Sequence, residues 1–145
     1  MTSCDTNILF PSFDRDSPFH DRARFFLESC AGRADFIICE QVLMELYCLL
    51  RNPTVCRAPL SSAKATDIIL GLRANPVWKI VDVMPGHGIM DRVWQYAAGH
   101  TFAYRRLFDV RLAMILRHHG VSEFATRNVA DFRDCGFTRL WDPFE

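Results

Sequence analysis

Four acidic residues lie in settings unlike those of ordinary surface carboxylates. Asp5 opens the stretch Asp5-Thr6-Asn7-Ile8-Leu9, so a carboxylate, a hydroxyl and an amide follow one another beside an apolar run. Glu45 lies inside Val42-Leu43-Met44-Glu45-Leu46-Tyr47, and Asp109 inside Leu107-Phe108-Asp109-Val110-Arg111-Leu112-Ala113. Asp131 belongs to Ala125-Thr126-Arg127-Asn128-Val129-Ala130-Asp131-Phe132, which adds the neutral oxygens of Thr126 and Asn128. At helical spacing Glu45 shares its face with Gln41, Val42, Cys48 and Leu49, and Asp109 with Leu112, Ala113 and Leu116. A carboxylate desolvated on an apolar face is driven toward its neutral form unless positive charge compensates. For Glu45 or Asp109 alone, an ion pair with Arg51, Arg105, Arg106 or Arg111 would be compensation enough. Four acids brought together would repel one another, and a bound divalent cation is the usual remedy.

The donor atoms indicate which cation. An oxygen-only set of Asp5, Glu45, Asp109 and Asp131, aided by Thr126 and Asn128, suits Mg²⁺ or Mn²⁺. No histidine falls where zinc would want one: His118 and His119 close a predicted helix, and His20, His87 and His100 read as loop or cap residues. One or two such ions can turn water into hydroxide, neutralise a phosphodiester and stabilise its leaving oxygen. A carboxylate not occupied by metal can orient the water as a general base. No Gly-rich phosphate loop and no Gly-x-Ser-x-Gly elbow is present, which weighs against a nucleoside triphosphatase and an α/β-hydrolase.

The elements that must position these residues alternate between strand and helix. Ser3–Asp5 reads as the end of a first strand, with Ile8, Leu9 and Phe10 continuing its apolar face. Ser17-Pro18 is a helix start, with Phe19, Ala23, Phe26, Leu27 and Cys30 at helical spacing and Gly32 as the stop. Phe36–Cys39 is a short buried strand, and the helix from Gln41 to Arg51 carries Glu45, with Glu40 as a cap ahead of it. Ser61 or Ser62 caps a helix with Ala65, Ile68, Ile69 and Leu72 on one face. Trp78–Val83 reads as the third strand and Ile89–Ala97 as another helix. Tyr104–His118 is the helix of Asp109, and Glu123–Thr126 and Phe137–Leu140 are the last strands. This alternation predicts an α/β fold, a three-layer α/β/α sandwich around a mainly parallel sheet. In such sheets ligands gather beyond the carboxyl ends of the strands, where Asp5 and the segment from Thr126 to Asp131 fall.

With 145 residues, half of them hydrophobic, and no linker composition, the chain reads as one domain, 1–145. No apolar run approaches the roughly 18 residues of a membrane span, and no secretory leader is visible, so a cytoplasmic location is expected. Cys4, Cys30, Cys39, Cys48, Cys56 and Cys135 form no Cys-x-x-Cys pair and read as small buried side chains. The net charge is zero, which predicts no strong non-specific pull on nucleic acid, although fifteen of the seventeen basic residues are arginine, the side chain suited to forked phosphate contacts.

Taken in order, the four acidic segments resemble the PIN-domain ribonucleases, and most closely the VapC-type toxins of bacterial toxin–antitoxin pairs. The resemblance spans essentially the whole chain, down to the closing Asp142-Pro143-Phe144. It implies an α/β/α sandwich, Mg²⁺- or Mn²⁺-dependent endoribonuclease activity, homodimerisation and neutralisation by a small VapB-like antitoxin. Asp5, Glu45 and Asp109 match the family's acidic triad. Many relatives carry the fourth acid just after the strand-end threonine, at the position where this chain has Asn128. The form Thr126-x-Asn128-x-x-Asp131-Phe132 is shared by many VapC-type toxins and assigns the fourth acid to Asp131, with Asn128 as the alternative. Thr6, Asn7, Thr126 and Asn128 are expected to orient the acids. Two other readings remain open: a PIN nuclease that processes RNA without an inhibitor, and an inactive module that binds RNA or protein.

Overall fold

Five strands, each three residues long and all paired in parallel, form the middle layer of the computed structural model, which describes residues 1–145. β1 (Thr2–Cys4) pairs with β4 (Glu123–Ala125), and β4 with β5 (Arg139–Trp141). β2 (Ile37–Cys39) pairs with β3 (Lys79–Val81), and a bridge between Thr2 and Phe36 joins this pair to the free side of β1. The order is thus β3-β2-β1-β4-β5, with the chain leaving the central strand in opposite directions for its two halves. The three-layer α/β/α arrangement expected from the alternation of elements is present.

The helices are α1 (Thr6–Leu9), α2 (His20–Cys30), α3 (Glu40–Leu50), α4 (Ser62–Arg73), α5 (Ile89–Ala97), α6 (Leu107–His118) and α7 (Val129–Phe132). β1, β2 and β4 are buried along almost their full length, and Ile8, Leu9, Leu43, Leu46, Ile115 and Leu116 close over them from the helices. Each such side chain, fully withdrawn from water, contributes on the order of 2 kcal/mol. Ser61 caps α4 as expected, its hydroxyl accepting from the Lys64 N–H at 3.3 Å.

Several boundaries differ from the expectation. Ile8 and Leu9 do not extend β1; they form α1, because the Asp5 carboxylate accepts from the Thr6 N–H at 2.7 Å and turns the chain into a helix at once. Ser17 accepts from the Phe19 N–H within a turn, and α2 begins only at His20. Glu40 is the first residue of α3 rather than its cap, and it pairs with Arg73 of α4. Tyr104–Arg106 is a separate 3₁₀ turn ahead of α6, β5 lies at 139–141 rather than 137–140, and α7 is a four-residue helix beyond those the periodicity predicts. All six cysteines are free, but Cys48 is exposed and Cys135 half-buried, unlike the buried role expected of them.

Candidate active site

The carboxyl ends of β1 and β4 are stitched together by backbone and side chains. The Asp5 N–H donates to the Ala125 carbonyl at 2.9 Å, and the Thr126 N–H donates to the Trp141 carbonyl at 2.9 Å. Asp5 is only 8% exposed. One of its oxygens accepts from the Thr6 N–H; the other accepts from the Asn7 amide at 2.8 Å and the Thr126 hydroxyl at 2.8 Å. Thr126 in turn accepts from the Asn128 N–H at 3.0 Å, and the Asn7 amide oxygen accepts from the Arg127 N–H at 3.1 Å. Thr6, Asn7, Thr126 and Asn128, the residues expected to orient the acids, therefore form one network around Asp5.

Glu45 enters from α3, one turn beyond Gln41. Its carboxylate accepts from the Thr6 hydroxyl at 2.9 Å and from the Gln41 amide at 3.0 Å. Gln41 is buried and clamps two helices: its amide nitrogen also donates to the Phe108 carbonyl at 3.0 Å, and its oxygen accepts from Arg111 at 2.6 Å. The expectation treated Gln41 only as a neighbour of Glu45. A polar residue one turn ahead of an acid on an apolar face was the available signal. Asp109 lies half-buried in the first turn of α6, and Asp131, also half-buried, in α7. The Asn128 side chain is exposed.

The electrostatics tie the four acids together. Asp5 is pushed up to about 6, chiefly by burial and further by Glu45, against the opposing hydrogen bonds of Thr126, Thr6 and Asn7. Asp109 is also pushed up to about 6, first by burial and then by the charges of Asp5, Asp131 and Glu45, with Arg106 opposing. Arg106 acts on Asp109 only through space: none of the six ion pairs in the molecule includes any of these acids. Arg111 binds Asp82 and Gln41, Arg51 covers the Tyr47 ring, Arg105 binds the Tyr104 hydroxyl, and Arg106 donates to the Asp131 backbone carbonyl rather than to a carboxylate. The ion-pair alternative for these acids is thereby removed.

As the side chains stand, no three of them form a ready-made coordination set. The donor chemistry nevertheless fits a hard cation: four carboxylates without cationic partners, two of them raised by burial and mutual repulsion, with only oxygen ligands at hand. Elsewhere the His118 ring lies 4.9 Å from the His87 ring, tilted to it, and 5.3 Å from the His119 ring, edge-on, between centroids.

Residues 3–137 match the PIN domain. The chain belongs to the PIN-domain family. Among PIN-domain relatives, Ribonuclease VapC24 of Mycobacterium tuberculosis (strain H37Rv) is 54% identical over 143 residues, which cover 99% of this chain and 97% of that protein. Ribonuclease VapC48 of the same species is 28% identical over 142 residues, covering 97% of this chain and 95% of the relative. Among solved structures, the fold is similar to that of M. tuberculosis VapC20, described as a sarcin–ricin loop cleaving toxin. The TM-score is 0.71 at 18% identity, over 95% of this chain and 97% of that one. The PIN assignment and the α/β/α fold expected from the acidic motifs are both borne out.

Proposed function

We propose that this PIN-domain chain is a VapC-type endoribonuclease, dependent on Mg²⁺ or Mn²⁺, acting as the toxin of a toxin–antitoxin pair. Asp5, Glu45, Asp109 and Asp131 hold the ion. The observation that carries the reading is the gathering of acids with no cationic partner at the carboxyl edge of a parallel sheet. Identity of 54% to a ribonuclease across nearly the whole chain supports it.

When bound, the ion supplies an activated water and neutralises charge on the phosphodiester. The protein's own contribution is positioning. Thr6, Asn7 and Thr126 fix Asp5 through both of its oxygens, so it cannot rotate away from the site. Thr6 also reaches Glu45, so one residue sets the spacing of two acids. Gln41 holds the α3 acid against the backbone beside Asp109. A carboxylate not engaged with the ion accepts the proton of the attacking water.

The pairing with a VapB-like antitoxin, a homodimeric state and a cytoplasmic location belong to the same reading. No helix is long and apolar enough to cross a membrane.

The test is incubation of purified protein with total cellular RNA, with Mn²⁺ or Mg²⁺ and with EDTA, alongside Asp5→Asn. Discrete cuts that need the metal and vanish in the variant are expected. Folded wild-type protein that leaves every RNA intact with either metal would overturn the nuclease reading and favour a binding module. A chain that cuts RNA yet is expressed without harm and without a small upstream partner gene would favour an RNA-processing role instead.

A further inference from the structure

Between α3 and the start of α6 a groove of about 510 Å³ opens directly beside the acids. Glu45 forms part of its wall, and another wall residue, Phe108, is the neighbour of Asp109 in the chain. Its apolar surface comes from Met44, Cys48, Leu49 and Phe108. Met44 and Phe108 are 64% and 62% exposed, which is a high value for large apolar side chains on ordered helices. Phe108 joins none of the ring–ring contacts of the fold and carries no arginine over its face.

The polar groups of the groove are mostly donors. Gln41 has spent its amide hydrogens on Glu45 and Phe108. Arg111 has given one nitrogen to Gln41 and one to Asp82, leaving the rest of its five N–H groups free. Asn52 uses its oxygen on Thr54 and leaves its amide nitrogen unengaged.

We propose that this groove holds a nucleobase of the RNA, adjacent to the bond that is cut, stacked on Phe108 and met at its edge by Arg111 and Asn52. The inference rests on the ribonuclease reading above and adds to it how the substrate is seated. Sequence-selective RNA binding works by splaying out single bases onto aromatic faces and pairing their edges with side chains. The volume suits a base with its sugar, since small-ligand pockets span about 300–1,000 Å³. Because Glu45 is shared with the acidic centre, an occupant of the groove lies within one nucleotide of the phosphate on which the acids act. These two donor side chains favour a base edge rich in acceptors, such as the O6 and N7 edge of guanine.

A second groove meets the site at Asn7 and Leu49 and serves this purpose less well. Its charges are mixed, Asp14 and Asp16 against Arg57 and Arg127. Of its two aromatic rings, Phe10 is half-buried and Phe19 is already covered, by Arg127 at 4.1 Å and by Phe144 at 5.3 Å.

The test uses a short RNA spanning a cut mapped from the total-RNA digest, with an abasic nucleotide placed in turn at each position flanking the cut. For the wild type, one abasic position is expected to slow cleavage by roughly 5- to 100-fold, the worth of a single base–aromatic stack. Phe108→Ala should slow cleavage of the intact RNA by a similar factor, lose nothing further from that abasic position, and keep its Mn²⁺ affinity. Phe108→Trp should restore the rate and the sensitivity. Equal abasic losses in wild type and Phe108→Ala would overturn the proposal, as would a Phe108→Ala protein that cuts like wild type. If that variant cuts normally but escapes a protein inhibitor, the groove docks protein and not RNA. A wild type that cuts no RNA at all removes the ribonuclease reading itself, which is a distinct failure.

Discussion

The Thr126 hydroxyl donates to the Asp5 carboxylate across 2.8 Å, joining two residues 121 positions apart in the chain. This bond fixes an acid at the end of one strand from the end of its neighbour. It also favours the charged form of Asp5 against the burial that raises its pKa. Thr126→Val, which keeps the shape and removes the donor, should weaken Mn²⁺ binding or cleavage by about 10- to 100-fold. Thr126→Ser should retain most of both. A Mn²⁺ titration of the two variants checks this, and equal behaviour would show that the hydroxyl does not matter.

Asp5→Asn, Glu45→Gln and Asp109→Asn should each abolish metal-dependent cleavage while leaving the fold intact. Asp109→Asn should also raise the stability of the metal-free protein, because it removes a charge repelled by Asp5, Asp131 and Glu45. Asp109 is only half-buried, so solvent screening limits the gain to about 1 kcal/mol, a few degrees in Tm. Thermal melts in EDTA measure it, and a lowered Tm would contradict the repulsion.

The same repulsion sets a pH dependence. Asp5 and Asp109 sit at about 6 in the folded protein against an ordinary 3.8, so the native state binds their protons more tightly than the unfolded chain. Their contribution to stability is fully present below about 3.8 and is lost as pH rises through 6. The metal-free protein should therefore melt at higher temperature at pH 5 than at pH 7. Saturating Mn²⁺ should reverse the trend, since the ion binds the carboxylates without their protons. Melting curves over this range, with EDTA and with Mn²⁺, decide the matter; an EDTA curve that is flat or rises with pH would count against it.

Gln41 is predicted to matter to fold and chemistry together. Gln41→Leu leaves the Phe108 carbonyl and Arg111 without their partner and frees Glu45 from one of its two hydrogen bonds. A loss of about 1–3 kcal/mol is expected from the buried polar groups left unsatisfied. Activity should drop even at a temperature where the variant is fully folded. Urea titration and cleavage assays on one preparation separate the two effects.

Much of the molecule could be read from residue order. Apolar runs such as Phe36–Cys39 and helical spacing in Ile89–Ala97 are strong local signals, and the strands and helices they predicted are present. What was missed turns on a single side chain overriding its neighbours. Ile8 and Leu9 look like strand residues until Asp5 caps the turn before them, and nothing in their own types announces this. α7 has only four residues, too few for periodicity to show. In the site, the acids stood out because charge on an apolar face is conspicuous. Gln41 did not, because its role depends on Phe108 and Arg111, which are distant in sequence.

The central position of β1 links assembly of the site to the arrival of β4. Asp5 leaves the ribosome well before Ala125 and Thr126, whose carbonyl and hydroxyl hold it, the hydroxyl lying 121 positions further along the chain. A nascent chain that stops before β4 has this acid but lacks the carbonyl and hydroxyl that hold it from the neighbouring strand. Pairing of the first strand with one made more than a hundred residues later is also a slow kind of closure. The newborn protein therefore carries an unassembled centre until β4 has been made and has paired with β1.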